Sequence, residues 1–309
     1  MHVVVVGAGG LGGYFGGLLA RRGANVTFIA RGANLAALQT RGLTVRSVHG
    51  DFSLPVRARA EVAGLPPADV MLFCVKTYDV AQAAALVQPL VTDDTAVLTL
   101  QNGVDTPSTL QAFFGRGTVL AGVTRIGSTL VAPGVVEQQT EDRLIELGSL
   151  EAGGEPQVEK VCRLLTQAGI PVQVRADIRK SLWEKLVFIS PFSGLSTLTR
   201  LTVAQLLAHE PTRALYRTLL EEAVAVAQAA GIAVAPDLAS QIMQYLEAAA
   251  DPGASSMAVD FAQRRPLEVE AIHGALVRHG QRLGVATPVT AAVYRALVVM
   301  DHYNRQPKP

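Results

Sequence analysis

The sequence predicts an α/β domain built on a mostly parallel sheet, followed by an all-helical domain. Two observations carry this. In the first half, short apolar runs rich in β-branched residues alternate with helical stretches. From about Ile178 the strand signals stop, and alanine-rich helical stretches follow, punctuated by Pro211, Gly231, Pro236, Pro252, Pro266 and Pro288. The 309 residues are about twice the usual single-domain length, so two domains are expected. The boundary falls between Val174 and Ile178, giving domains 1–175 and 176–309.

The elements follow in order. His2–Val6 is a β-branched run, and beyond the glycines after it Leu11, Phe15, Leu18 and Leu19 form a helical stripe. Asn25–Ala30, Val70–Val75, Ala96–Leu100 and Thr118–Val123 are further short apolar runs, as a sheet buried on both faces requires. A helical stretch such as Val80–Val91 between strands makes the connections crossovers, so the sheet should be mostly parallel. Arg143–Leu147 and Pro171–Val174 read as strands flanking a helix near Pro156–Ala168. Only the tail, Gln306–Pro309, reads as disordered.

Composition excludes several classes. Twenty-seven Lys and Arg against twenty-six Asp and Glu argue against a nucleic-acid binder, which normally carries a basic excess. Charged residues at 17% and apolar residues at 49% exclude a disordered chain. Cys74 and Cys162 make neither a disulfide framework nor a zinc site and fit a reducing compartment, with Cys74 read as a buried strand residue. Met1–Ala20 has no charged side chain, but it contains seven glycines, and Arg21 and Arg22 follow it rather than precede it. That is neither a signal peptide nor a membrane span, so the expected location is cytoplasmic, away from any membrane. The six histidines have no metal-ligand spacing, and no Ser-His-Asp arrangement is recognisable.

Between the first strand and first helix stands Gly7-Ala8-Gly9-Gly10-Leu11-Gly12. In a Rossmann-type dinucleotide site the first glycine permits the tight turn, the second lets the backbone approach a pyrophosphate, and the third lets the helix pack on the strand. The N–H groups and dipole of that helix then hold the phosphates. The second strand ends at Arg31, where an NAD site usually has Asp or Glu; a guanidinium fork suits the extra phosphate of NADP. Lys76 and Asn102 follow two further strands, so these features share the carboxyl edge of the sheet, where ligands bind in open α/β folds.

In the helical half, Lys185 lies at helical spacing over Ile178, Leu182, Ile189 and Phe192. Desolvation lowers the pKa of such a lysine and a nearby anion raises it, which can poise it as a proton donor. The segment alone is equally compatible with a lysine that lays its stem over the apolar face and puts its head in water. Asp177 or Ser181 can cap this helix, and Pro191 inside it should kink it and free the Val187 carbonyl. Ser255-Ser256-Met257 starts a later helical run that Pro266 breaks. Pro266 can then occupy the first turn of the next helix, with Glu268 and Glu270 as helix-start charges.

Together GAGGLG, Arg31, Lys76, the QNG at Gln101–Gly103, the WEK at Trp183–Lys185, the SSM at Ser255–Met257 and Glu268 resemble the ketopantoate reductase family, in order and over nearly the whole chain. The resemblance implies a Rossmann domain, a helical second domain and an active site in the cleft between them. It implies NADPH-dependent reduction of ketopantoate, a branched 2-oxo acid, to pantoate on the route to pantothenate and coenzyme A. By the same resemblance, Lys185 is the general acid. Gly7, Ala8, Gly9, Gly10, Leu11, Gly12, Arg31, Lys76, Asn102 and Glu268 contact the cofactor; Asn102, Lys185, Ser193 and Ser256 contact the substrate. One departure is that well-studied members carry substrate-binding asparagines four and eight residues beyond the lysine, where this chain has Ile189 and Ser193.

Reduction of another 2-oxo acid or ketone on the same fold is one alternative, and a non-catalytic NADP(H)-binding sensor is another. A lactate-type dehydrogenase would need a His–Asp pair and a substrate-clamping arginine that the sequence does not place. Apolar helices in the second domain fit a homodimer interface or that domain's own core.

Overall fold

In the computed structural model, residues 1–248 and 253–306 are described. Pro252, one of the expected helix breaks, and residues 307–309 of the expected disordered tail lie outside the described residues. The chain divides into two units, one comprising Met1–Gln101 with Thr106–Ile178, the other Asn102–Asp105 with the chain from Arg179 onward.

The first unit runs β1 (His2–Val6), α1 (Gly10–Arg21), β2 (Asn25–Ile29), α2 (Gly32–Arg41), β3 (Leu43–Ser47), β4 (Phe52–Leu54), β5 (Arg57–Arg59), β6 (Val70–Phe73), α3 (Val80–Val87) and β7 (Ala96–Thr99). After α4 (Thr106–Phe114) come β8 (Thr118–Thr124), β9 (Ser128–Ala132), β10 (Val135–Gln138), β11 (Ile145–Ser149), α5 (Glu155–Gln167) and β12 (Val172–Val174). An eight-stranded sheet has the order β12-β11-β8-β7-β6-β1-β2-β5. Its pairs are parallel except β8 with β11.

Alternation along the strands explains the unbroken apolar runs. Val3, Val5, Leu72 and Leu98 pack with Tyr14, Phe15, Val161 and Leu164 on one face. Val4, Val6, Met71, Phe73 and Val97 pack with Val80, Val87, Leu110 and Phe114 on the other. Both faces are covered by helices, so apolar residues dominate at both parities, and each fully buried Val, Leu or Phe contributes about 1.5–3 kcal/mol.

A second, four-stranded sheet, β4-β3-β10-β9, was not expected from the sequence. Its strands are short, and β4 and β9 leave most of their residues half-buried or exposed, so they carry no continuous apolar signal. The helix expected over Val80–Val91 stops at Val87, and a tight turn over Gln88–Leu90 follows, because Pro89 has no N–H to continue the ladder. Cys74 lies just past β6 rather than within it, although its N–H still donates to the Val6 carbonyl at 2.8 Å.

The second unit contains α6 (Ile178–Thr199, whose first residue belongs to the first unit), α7 (Val203–Leu207), α8 (Glu210–Ala229), α9 (Leu238–Ala248), α10 (Ser256–Ala262), α11 (Ala275–Leu283) and α12 (Pro288–Asn304). A π-helical turn at Glu270–Gly274 leads into α11. Trp183, Leu186, Val187, Leu195, Tyr216, Leu219, Leu220 and Leu276 form its core. Ser181 lies inside α6, so it is not the cap suggested from sequence. The Val187 carbonyl that Pro191 frees accepts from the Ser190 hydroxyl at 3.2 Å. Pro266 does not enter a first helical turn. Arg264, at a left-handed φ of 55°, ends α10, and the N–H of Leu267 is spent on Asp301 at 2.7 Å, which holds this stretch irregular. Among the described residues, no helix is long and apolar enough to cross a membrane.

Candidate functional site

The first unit brings the glycine loop, Arg31 and Lys76 together. β1 lies between β2 and β6, so the residues after these three strands share one sheet edge. Gly7 has φ +96°, and a Cβ there would stand 2.9 Å from the Val75 backbone nitrogen. A Cβ on Gly12 would stand 2.0 Å from the Gly7 carbonyl oxygen. A Cβ on Gly9 would meet no heavy atom within 4 Å. The loop is therefore closed where the helix packs and open at its tip. α1 starts at Gly10 without a side-chain cap, so its first N–H groups have no partner within the helix. A pyrophosphate fits this cradle, because unpaired donors and the positive end of the helix dipole meet where no side chain intrudes.

The loop is held from outside by residues that the sequence reading missed. The Asn34 amide donates to the Ala8 carbonyl at 2.9 Å and accepts from the Gly134 N–H at 2.8 Å. The Ser128 hydroxyl donates to the Gly10 carbonyl at 2.9 Å. The Gly10 and Gly13 positions are filled by the second sheet, since added Cβ atoms would stand 2.2 Å from Ser128 O and 2.6 Å from Val136 Cγ2. These glycines thus admit the β9–β10 hairpin, not only a ligand.

Arg31 is exposed, and its guanidinium donates to Asp79 at 2.8 Å and to Gln82 at 2.9 Å. Asp79 closes the turn directly after Lys76, so the Arg31 fork reaches the end of β6. Lys76 is half-buried. The Gln101 side chain is 7% exposed, and neither its oxygen nor its nitrogen has a hydrogen-bond partner. An orphaned buried amide costs about 1–3 kcal/mol, which suits a group awaiting a ligand.

The second unit holds the other expected residues. Lys185 is half-buried on α6, one turn from Leu182 and Ile189. Glu268 is 6% exposed, and its carboxylate accepts from the Asn102 amide at 3.4 Å. Asn102 thus belongs with the helices although it follows β7 in sequence. Its segment is fixed there by Asp105, which pairs with His279 at 2.8 Å, and by Gly103, whose Cβ would stand 2.5 Å from Ala271 O. The Trp183 ring meets His279 edge-on at 5.1 Å. Asp105 and His279 had no recognisable signal, and the QNG motif did not reveal what Gly103 packs against, since these contacts span over a hundred and sixty residues.

Ser256 is exposed at the start of α10, and its neighbour Ser255 is the cap, accepting from the Ala258 N–H at 3.1 Å. Ser255 also shares a hydrogen bond with Ser196 at 2.8 Å, tying α10 to α6. Ser193 is buried, and its hydroxyl donates to the Ile189 carbonyl at 2.7 Å. Glu270 is exposed and engaged by Arg278 at 2.8 Å and Tyr294 at 2.7 Å, which raises the Tyr294 pKa. His273 is fully buried with Nε2 on the Ser190 carbonyl at 2.8 Å, and burial pulls its pKa down to about 4. Burial pushes the Cys74 thiol up to about 12, so it supplies no thiolate nucleophile. Among the described residues, no group of three His, Cys, Asp or Glu side chains is arranged to hold a metal ion.

Residues 3–152 match the family described as ketopantoate reductase PanE/ApbA, and residues 177–301 match the family's C-terminal domain. The chain is 31% identical to a 2-dehydropantoate 2-reductase of Nostoc sp., covering 97% of this chain and 95% of that protein. It superimposes on the crystal structure of 2-dehydropantoate 2-reductase from Geobacter metallireducens with a TM-score of 0.90 and 32% identity, over 97% of this chain and 99% of that one. A D-mandelate dehydrogenase solved with NADH and anilino(oxo)acetate shares the fold, with a TM-score of 0.91 at 22% identity over 99% of this chain and 100% of that one. With both halves of the sequence matched in order, the chain belongs to the ketopantoate reductase family of oxidoreductases.

Proposed function

We propose that the protein reduces a 2-oxo acid to the 2-hydroxy acid with NADPH, 2-dehydropantoate being the acceptor that its relatives' names point to. On this reading 1–175 is the NADP-binding domain, 176–309 carries the substrate and catalytic groups, and the reaction is cytoplasmic. The hydride for the carbonyl carbon would come from NADPH held at this site. The N–H groups at Gly9–Gly12 hold the pyrophosphate, and Arg31 with Lys76 holds the 2′-phosphate. The Lys185 ammonium stabilises the charge that grows on the carbonyl oxygen and gives it a proton. Glu268 is the counter-charge for that ammonium, Asn102 bonds cofactor and substrate, and Ser256 bonds the substrate carboxylate.

The main support is the loop that is open at Gly9 and packed shut at Gly12, a shape that serves a phosphate better than it serves folding alone. The test is NADPH consumption with 2-dehydropantoate as sole acceptor. Turnover is expected. Tight NADPH binding with no 2-oxo acid consumed would replace this reading with a nucleotide sensor.

A further inference from the structure

One turn beyond Lys185, α6 offers a substrate no hydrogen-bond donor. Ile189 and Phe192 stand four and seven residues on, both half-buried, and Phe192 meets Phe188 edge-on at 6.3 Å. Ser193 stands eight residues on, but it is 3% exposed. Its single proton goes to the Ile189 carbonyl at 2.7 Å, with the Ser190 carbonyl a further 3.4 Å acceptor. Residues four apart on a helix are neighbours about 6 Å apart, so this strip lies within the length of a small 2-oxo acid.

A 2-oxo acid has three parts around its reacting carbon. The carbonyl oxygen goes to Lys185. The carboxylate needs charged or donor groups, which the strip lacks. What remains to lie along Ile189 is the side chain.

We infer that Ile189 sets the specificity of this site, and that the preferred substrate is a 2-oxo acid whose side chain is bulky hydrocarbon without a hydroxyl. This rests on the function proposed above and names its substrate class. A side-chain hydroxyl against Ile189 would lose its water without gaining a partner, whereas methyl groups there are simply removed from water. A pocket of this kind disfavours an added hydroxyl by roughly 10–100-fold.

The matched pair 3,3-dimethyl-2-oxobutanoate and 2-dehydropantoate differs by that one hydroxyl. We expect the wild-type kcat/KM with NADPH to favour the hydroxyl-free acid by about tenfold or more. Ile189→Asn should move the ratio toward 2-dehydropantoate, and Ser193→Ala should leave it unchanged, because that hydroxyl serves the helix. A wild-type enzyme that prefers 2-dehydropantoate overturns the inference without touching the proposed reaction, and needs no variant to fold. A ratio that Ile189→Asn leaves in place, in a folded variant, also overturns it. Turnover of neither acid overturns the proposed reaction itself, and the subsite with it.

Discussion

Gly9→Ala and Gly12→Ala each add one methyl to the loop between β1 and α1, with opposite expected consequences. The Gly9 methyl would meet no heavy atom within 4 Å, and the backbone at φ −79° and ψ −157° is open to any L residue. Stability should change by no more than about 0.5 kcal/mol. The Gly12 methyl would stand 2.0 Å from the Gly7 carbonyl oxygen, a backbone atom in a turn pinned by the Gly7 N–H on Ile29 O at 3.0 Å. That oxygen cannot swing aside as a side chain would, so α1 must shift, at about 1–3 kcal/mol. For a unit of this size the melting temperature should fall by roughly 2–4 °C per kcal/mol.

Cofactor binding separates the two positions further. The Gly9 methyl occupies the space through which a pyrophosphate reaches the N–H groups of α1. Losing one charge-assisted hydrogen bond costs about 1.5–3 kcal/mol, so the Kd for NADPH should rise by roughly 10–150-fold. Thermal unfolding followed by circular dichroism and NADPH fluorescence titration measure both quantities. A Gly9→Ala protein that binds NADPH as wild type does would refute the cradle. One that melts as early as Gly12→Ala would refute the packing argument.

Arg31→Ala should weaken NADPH more than NADH, as read by titrating each cofactor; equal losses would contradict the phosphate assignment of Arg31, which here shares its fork with Asp79 and Gln82. His273 makes stability depend on pH. Its pKa falls from 6.5 to about 4 in the folded protein, so the unfolded chain takes up the proton first as the pH drops. Its neutral form therefore supports folding fully above pH 6.5, and stability is lost at up to about 1.4 kcal/mol per unit between 6.5 and 4, roughly 3 kcal/mol in all. In urea titrations at pH 7 and pH 5, His273→Asn should show a smaller loss than wild type by about 2 kcal/mol. Equal losses would show that the ring does not titrate as its burial requires.

What could be read from the chain, and what could not, follows the range of the interactions. Val3–Val6 is a strand buried on both faces and says so in four consecutive valines. Gly12 is constrained by Gly7 and Val5, within a few residues, so the local spacing carried the loop, whereas Gly7 is closed against Val75, which no local pattern shows. Gly10 and Gly13 answer to Ser128 and Val136, over a hundred residues away, and no local pattern announces that. The second sheet was hidden for another reason: strands such as Phe52–Leu54 bury too little to leave a period-two signature. Lys185 could be picked out because a lysine interrupts an apolar stripe. The placing of Asn102 with Glu268 could not, because Asn102 follows a strand of one unit and folds with the helices of the other. The π-helical turn at Glu270–Gly274 has no proline or glycine signal at its start, and Pro266 suggested an ordinary helix instead.

In the proposed mechanism the Lys185 ammonium gives the carbonyl oxygen its proton. The direct measurement is Lys185→Ala turnover under saturating NADPH and 2-oxo acid, beside the NADPH dissociation constant of the same protein. The expected kcat is lower by about 10²–10⁴-fold, with NADPH affinity nearly unchanged. Wild-type turnover in that protein would remove Lys185 from the chemistry and contradict the mechanism.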